Sequence, residues 1–231
     1  VTTMIGELVE NPSNREIKPI GSGRYDDAWI DKLRNRDDVT FIIPRTRSLA
    51  ATIQLKSKTA RRILSTELLA TAPGDPLLVG FDRLPKNNFE VILSYGAANK
   101  LKVKPGDEID ASLARQFQGK RERVHLPLEV IGVTGPGVIS RSVAFVQLEL
   151  LLASEQFKDG RAVESLGWQG NAGNPDNRVY PSFRLYTRSI YDVAGLVTEL
   201  EQDGNRVKAN VAEISTVQSI DENLPRSEES R

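Results

Sequence analysis

The chain has 231 residues, with 31 Lys and Arg against 31 Asp and Glu, one His and no Cys. Its hydrophobic fraction of 39% suffices for a globular core, which excludes disorder as the main description. Balanced charge gives no overall field to hold a polyanion, so nucleic acid is not an expected partner. The lack of Cys excludes disulfides, thiolate metal sites and a Cys nucleophile.

Charged residues interrupt the chain too often for a membrane span. The longest stretches without Asp, Glu, Lys or Arg, residues 130–140 and 165–175, have 11 residues each. A spanning helix needs ~20 apolar residues. The first residues, Val1 to Gly6, lack a basic flank, and Glu7 follows them at once. The sequence therefore predicts neither a spanning helix nor a signal peptide.

The chain is predicted to begin with a lead-in, a helix and strands. Turn-forming residues, among them Gly21 to Gly23, predict that residues 1–24 are a tether with little core of its own. From Tyr25 to Arg36 apolar residues recur every four positions, with acidic residues in the first turn and basic ones in the last, which predicts an amphipathic helix. Strands are predicted next at Val39–Ile43, Leu49–Leu55 and Arg61–Thr71.

Mostly strands are predicted from about Glu67 to Asn174. They cover Pro76–Phe81, Phe89–Leu93, Glu108–Leu113, Arg123–Val133 and Val138–Val146. Gln116–Glu122 is predicted as a charged hairpin loop. Helices are predicted at Tyr95–Leu101 and Leu148–Phe157. The glycines and asparagines of Gly167–Asn177 are typical of a loop or a subdomain boundary.

The last part returns to alternating strands and helices. Val179–Thr187 is predicted as a strand, after which Ser189 and Asp192 form the start of a helix that ends at Gly204. A further strand is predicted at Arg206–Ala212, and Ile214–Leu224 carries an apolar helical face. Residues 225–231 are predicted to be a charged tail.

Few residues suggest chemistry. His125 lies in a predicted strand, where a structural or surface role is the usual one and a His-centred site is the alternative. Gly132 to Gly137 superficially resembles a phosphate loop, but Pro136 removes a backbone donor and no Lys-Ser or Lys-Thr follows. We interpret it as a turn between strands.

Charged clusters have simple explanations as well. The paired carboxylates Asp26-Asp27 and Asp37-Asp38 suit capping and solvation better than a catalytic dyad. Arg45-Thr46-Arg47 lies on a predicted loop, with Lys56, Lys58 and Arg61-Arg62 nearby in sequence. Such a patch would suit an acidic partner or lipid headgroups, and a solvated loop is the alternative. The residues therefore predict no catalytic, cofactor or metal site and leave the partner-binding residues unknown.

Four segments, Val91–Asp107, Leu128–Val133, Ala144–Leu152 and Val179–Leu224, together resemble the extracytoplasmic domain of MacB-like and FtsX-like ABC transporter permeases. Val91–Asp107 is similar to that family's strand, short helix ending in Ala-x-x-Leu, and Gly-Asp turn. Leu128–Val133 resembles its Val-x-Gly-Val strand, and Ala144–Leu152 the strand and helix that follow. Val179–Leu224 resembles its closing strand-helix-strand-helix, so the resemblance covers about Tyr25 to Leu224.

The resemblance implies an α+β fold in two parts. Both ends of the chain would form a Porter-like α/β subdomain, and the middle would form an inserted, β-rich Sabre-like subdomain. The implied division is residues 1–24 as a membrane-proximal lead-in, 25–66 and 175–224 as the Porter-like part, and 67–174 as the Sabre-like part. Because the chain lacks the flanking helices and nucleotide-binding domain of a permease, it corresponds to an excised domain with a foreign tail, which we favour, or to a soluble relative.

The implied function is non-catalytic. The domain would engage a substrate or partner outside the cytoplasmic membrane, and cytoplasmic ATP hydrolysis would move it. The implied partners are an ABC ATPase domain or subunit, a periplasmic adaptor or lipoprotein, and a second copy in a full-length homodimer, with no cofactor. The alternatives are a free-standing periplasmic binding module and a small enzyme that uses carboxylates and His125.

Overall fold

The computed structural model describes residues 2–173 and 177–224 and confirms the predicted α+β class. The described chain divides into two compact units. The first, here the terminal unit, contains residues 2–23, 28–42 and 183–224. The second, the barrel unit, contains the described residues of Arg24–Asp27 and Ile43–Ser182. The predicted tail at 225–231 lies outside the described residues.

Both units contain helices and strands. The helices are α1 (Thr2–Glu10), α2 (Asp27–Arg34), α3 (Tyr95–Leu101), α4 (Leu148–Lys158), α5 (Val193–Gln202) and α6 (Val211–Asn223). The strands are β1 (Glu16–Pro19), β2 (Tyr25–Asp26), β3 (Val39–Arg45), β4 (Thr52–Ser57), β5 (Ile63–Thr71), β6 (Glu90–Leu93), β7 (Glu108–Phe117), β8 (Lys120–Val133), β9 (Val143–Gln147), β10 (Val179–Tyr180), β11 (Ser182–Thr187) and β12 (Val207–Ala209).

The terminal unit is built on a sheet with the strand order β12-β1-β11-β3. In β1, Ile17 pairs with Leu185 on one side and with Ala209 on the other, both antiparallel, and is fully buried. The prediction of a tether without core is therefore wrong for residues 16–19. The turn-forming residues that suggested it flank a strand too short to show a period.

The two terminal helices, α1 and α6, lie against each other. The buried side chain of Asn14 links α1 to the residue that precedes α6. Its Nδ2 donates to the Leu8 carbonyl at 2.8 Å, and its Oδ1 accepts from Asn210 Nδ2 at 3.0 Å. Ile214 and Val217 of the predicted apolar face of α6 are buried. The two ends of the described chain thus meet within one unit.

The barrel unit contains a closed barrel with the strand order β4-β5-β9-β6-β8-β7. β5 pairs with β9 and β6 with β8 in parallel, and the other neighbours are antiparallel. Closure leaves no free sheet edge, and side chains of alternate residues fill the interior. The long segment of the barrel unit runs from Ile43 to Ser182, whereas the predicted Sabre-like part covers residues 67–174. The reason is that β4 pairs with both β5 and β7.

Most predicted elements are confirmed. Helix α3 has the predicted bounds, α2 and α4 match within a few residues, and β5 confirms a strand in an ambiguous stretch. Ser189 and Asp192 form the predicted capping box. β3 extends past its predicted end at Ile43 and includes Pro44, which is tolerated because β3 is an edge strand and the missing N–H breaks no central ladder.

Three local predictions are wrong. Residues 76–78 form a 3-10 turn rather than a strand, because the Asp75 side chain caps it by accepting from the Leu77 N–H at 3.0 Å. β9 begins only at Val143, after a turn at residues 135–138. The predicted hairpin loop is shorter, since the strands run to Phe117 and Lys120 and leave two residues with positive φ, as a tight hairpin turn requires.

A buried guanidinium holds the barrel unit's hairpin to α4. The side chain of Arg115 in β7 is 2% exposed and bonds Glu122 of β8 through Nε at 2.9 Å. Its other nitrogens donate to the carbonyls of Phe157, Arg161 and Gln169. It also lies 4.2 Å from the ring centroid of Phe157. One residue therefore anchors the hairpin, the end of α4 and the loop after it.

We expect Arg115→Met to lower the free energy of unfolding of the barrel unit by about 3–5 kcal/mol, because it leaves buried carbonyls and a carboxylate without their donor. Urea unfolding and hydrogen exchange over residues 160–171 would measure it. Arg121→Met, which removes an exposed charge from the same hairpin, is the matched control. Equal stability of the two variants would contradict this role for Arg115.

Candidate functional site

A groove of about 820 Å³ opens on the barrel unit between the segment after β5 and the start of α4. It is lined by residues 71–75, 78–86 and 147–149. These come from the end of β5, the irregular segment that leads to β6, and the β9–α4 junction. The groove therefore depends on loops that are fixed at both ends by barrel strands.

Asp75 fixes the first part of the groove wall. Its carboxylate accepts from the Thr71 hydroxyl at 2.8 Å and from the Leu77 N–H at 3.0 Å, and its residue is 3% exposed. Pro76 starts the short turn with its φ already set. The Gly74-Asp75-Pro76 signal in the sequence could have located this cap, although it was used only as a sign of a turn.

Glu90 fixes the second part of the wall from inside β6. It is 4% exposed, accepts from the Lys86 N–H at 2.9 Å and forms an ion pair with Arg83. The side-chain amide of Gln147 bonds the Asn88 side chain on the same segment. Sequence reasoning missed Glu90, because a buried carboxylate beside an apolar run looks like an ordinary strand end.

The floor of the groove is apolar. Phe81 and Leu84 pack against a buried cluster that includes Leu78 and Ile92. A Cβ placed on Gly132 would lie 2.6 Å from Cε1 of Phe81, so a glycine is needed for this approach. Val79 stands at the rim, 81% exposed. The groove can accept an apolar group between its apolar floor and its charged rim.

His125 lies on the outer face of β8, with its side chain 58% exposed. Its Nδ1 is 2.9 Å from Oδ2 of Asp110 on β7. The neighbouring hydroxyl, that of Ser112, accepts from Arg123 at 2.8 Å. His125 thus pairs with a carboxylate on the adjacent strand, whereas the Ser112 hydroxyl bonds Arg123.

The glycine-rich stretch 132–137 ends β8 and forms a turn. Its Thr134 is buried, and the Thr134 hydroxyl accepts from the Tyr95 N–H at 3.2 Å at the start of α3. This segment therefore supports the α3 start.

The aspartates of the two predicted carboxylate pairs bond different partners. In the barrel unit, Asp27 accepts from the Tyr180 hydroxyl at 2.8 Å. In the terminal unit, Asp38 accepts from Arg36 at 2.9 and 3.0 Å, which lowers its pKa. The carbonyl of Asp37 accepts from Arg188. Asp27, Asp37 and Asp38 are thus each bonded to a residue outside their own pair.

The predicted basic patch is divided by β4. Arg45 and Arg47 precede this strand and bind Glu67 and Asp159 respectively. Lys58 follows it and pairs with Glu108 at 3.1 Å. A six-residue strand spans about 20 Å, so the two groups lie at opposite ends of β4 and do not form one patch.

Burial shifts several pKa values around α4. It raises the pKa of Glu155, which pairs with Arg178 at 3.3 Å, and raises the pKa of Tyr180, whose hydroxyl also donates to Asp27. Burial lowers the pKa of Lys158 to about 8. The Lys158 ammonium donates to the carbonyls of Leu49 and Thr52, so it holds the loop before β4.

Metal and membrane features are not found in the described part of the chain. Within residues 2–173 and 177–224, no three His, Cys, Asp or Glu side chains cluster as metal ligands would. None of the helices described is long and apolar enough to cross a bilayer. Comparison with protein-family models gives no match, and comparison with curated proteins gives no significant one.

We expect Gly132→Ala to displace the Phe81 ring and to lower the free energy of unfolding by about 1–3 kcal/mol, because the new methyl group overpacks the groove floor. Urea unfolding and the NMR shifts of Phe81 and Leu84 would measure both effects. Gly135→Ala is the control, since its methyl group would enter open space. An unmoved Phe81 ring in the Gly132 variant would contradict the close approach.

Proposed function

We propose that the chain is the extracytoplasmic domain of an ABC transporter permease of the MacB-like or FtsX-like kind. The observation that carries the proposal is the meeting of both chain ends in the terminal unit, with the barrel unit inserted between them. A domain inserted between two membrane helices requires ends that lie together. The sequence resemblance, spread over about Tyr25 to Leu224, supports the same class.

In this proposal the terminal unit corresponds to the Porter-like subdomain and the barrel unit to the Sabre-like one. The discontinuous make-up of the terminal unit and the strand-rich make-up of the barrel unit support this assignment. Helices α1 and α6 would continue toward the membrane helices. Motion driven by a cytoplasmic ABC ATPase domain or subunit would enter through these two helices.

The proposed role is to engage a substrate or partner protein without catalysis. The apolar floor of the groove offers a surface for such engagement. A periplasmic adaptor or a lipoprotein is the proposed partner class, and the full-length protein is proposed to act as a homodimer at the cytoplasmic membrane. Fold alone does not locate the contact residues.

Fractionation of the native protein tests the proposed class. An antibody raised against this domain should detect a protein well above 25.6 kDa that stays with membranes after a high-salt wash. A protein of about this size released with the periplasmic contents would support the free-standing binding module instead. That soluble outcome would overturn the permease proposal.

A disulfide between the first and last strands tests the transmitted motion. Lys18 and Lys208 are exposed and directly opposed on antiparallel β1 and β12, so Lys18→Cys with Lys208→Cys can form a bond. In the full-length protein we expect the oxidised pair to abolish rescue of a deletion strain and to leave ATP binding intact, because β1 can no longer shift against β12.

The chain offers a matched control for this disulfide. Gln116 and Arg121 are exposed partners on the β7–β8 hairpin, so the Gln116→Cys and Arg121→Cys pair adds the same bond away from the chain ends. The 231 residues contain no Cys that would compete within this domain. Full rescue by the oxidised Lys18–Lys208 pair would sink the proposal of transmitted motion.

A further inference from the structure

A second cavity, of about 470 Å³, lies on the barrel unit beside the first residue of β4. We call it the arginine pocket. Its lining residues are Arg45, Thr46, Ser48, Ala51, Thr52, Glu67, Leu68, Arg141 and Leu151. They come from the end of β3, the loop before β4, the middle of β5, the residue two before β9, and α4.

Two guanidinium groups in this pocket share one carboxylate. Arg45 Nη2 is 2.7 Å from Glu67 Oε1, and Arg141 Nε is 2.7 Å from Glu67 Oε2. The Glu67 side chain is 27% exposed, which makes it a partly buried anchor for both. One negative charge against two positive charges leaves the pocket with a net positive charge.

The shared carboxylate uses only part of the donor capacity of the two arginines. Within the described residues, Nε and Nη1 of Arg45 and both Nη atoms of Arg141 have no hydrogen-bond acceptor. The Ser48 hydroxyl, on the same wall, likewise has no bonded partner in the part of the chain that the structure describes. Several donors therefore line one cavity from two sides.

Helix α4 fixes the loop that forms the pocket wall. Ser154 Oγ donates to the Ala50 carbonyl at 2.6 Å, and Lys158 Nζ donates to the Leu49 carbonyl at 2.7 Å. Arg47 pairs with Asp159 just beyond the helix. The loop is thus held at successive residues, and a ligand would meet a preorganised wall with little ordering cost.

We propose that the arginine pocket binds the phosphate group of an organic phosphate. Guanidinium forks match the oxygens of phosphate, and donors from two sides suit its several terminal oxygens better than the two of a carboxylate. A phosphate monoester near charge −2 complements the positive balance of the pocket. The cavity volume exceeds that of the phosphate group alone, which leaves room for the organic part.

The proposal stands apart from the proposed transport role, because it uses only residues of the arginine pocket. Its main competitor is a structural role, in which Glu67 merely ties β3 to the segment before β9. If the ion pairs are only structural, the chain does not bind phosphate at this pocket. The two readings therefore differ in a direct binding experiment on the 231-residue chain.

The test titrates glycerol 3-phosphate into the ¹⁵N-labelled chain, with glycerol as the uncharged control. We expect amide shifts over residues 46–51 and at Glu67 and Arg141 with glycerol 3-phosphate alone. Arg141→Gln should weaken binding about tenfold, the effect of one charge-assisted hydrogen bond. Arg121→Gln, which removes one exposed charge from the hairpin, should leave the affinity unchanged.

Glu67→Gln gives a second variant in case Arg141→Gln loosens the loop. It removes the competing carboxylate charge and keeps an acceptor, so we expect tighter binding of glycerol 3-phosphate. Equal weakening by Arg121→Gln and Arg141→Gln, or no tightening in Glu67→Gln, would overturn the proposal.

A vesicle experiment separates the two sources of a phosphate monoester. Phosphatidylcholine vesicles with and without phosphatidic acid are sedimented with the chain. Sedimentation that requires phosphatidic acid and is lost in Arg141→Gln, but not in Arg121→Gln, would support the proposal with a lipid headgroup as the ligand. Binding of glycerol 3-phosphate without sedimentation would support it with a soluble ligand, and neither form of binding would overturn it.

Discussion

The burial of the Arg115 guanidinium is the constraint on which the barrel unit depends. Arginine keeps its charge in proteins, so a buried one must find acceptors for its donors. Those acceptors lie on the hairpin partner, the end of α4 and the loop that follows it. Because α4 is fixed in this way, its other side chains can hold the loop before β4 in one shape.

Helix α4 links the two cavities of the barrel unit. Residues at its start line the groove, and Leu151, three residues after the first, lines the arginine pocket. The two cavities nevertheless differ in chemistry, since one has an apolar floor and the other has two guanidinium groups. One helix therefore serves as a common wall for an apolar surface and a cationic one.

The sequence predicts strands and helices better than it predicts sites. Periodicity and caps identify α2, α3, α4 and the capping box at Ser189, because these signals are local. The pairing of β1 with β11 and β12 is not local, so turn-formers around Ile17 misled the prediction. The same holds for Arg45 and Arg141, which lie far apart in sequence and meet only through Glu67.

The pairing of β1 has a consequence for folding during synthesis. Arg15 donates to the Thr187 carbonyl across 172 residues of chain, and β1 lies between strands from the last quarter of the sequence. A ribosome releases the N-terminal end first. Segment 16–19 therefore stays unpaired while the whole barrel emerges. The barrel can fold first, and the sheet of the terminal unit forms only after β11 and β12 have been synthesised.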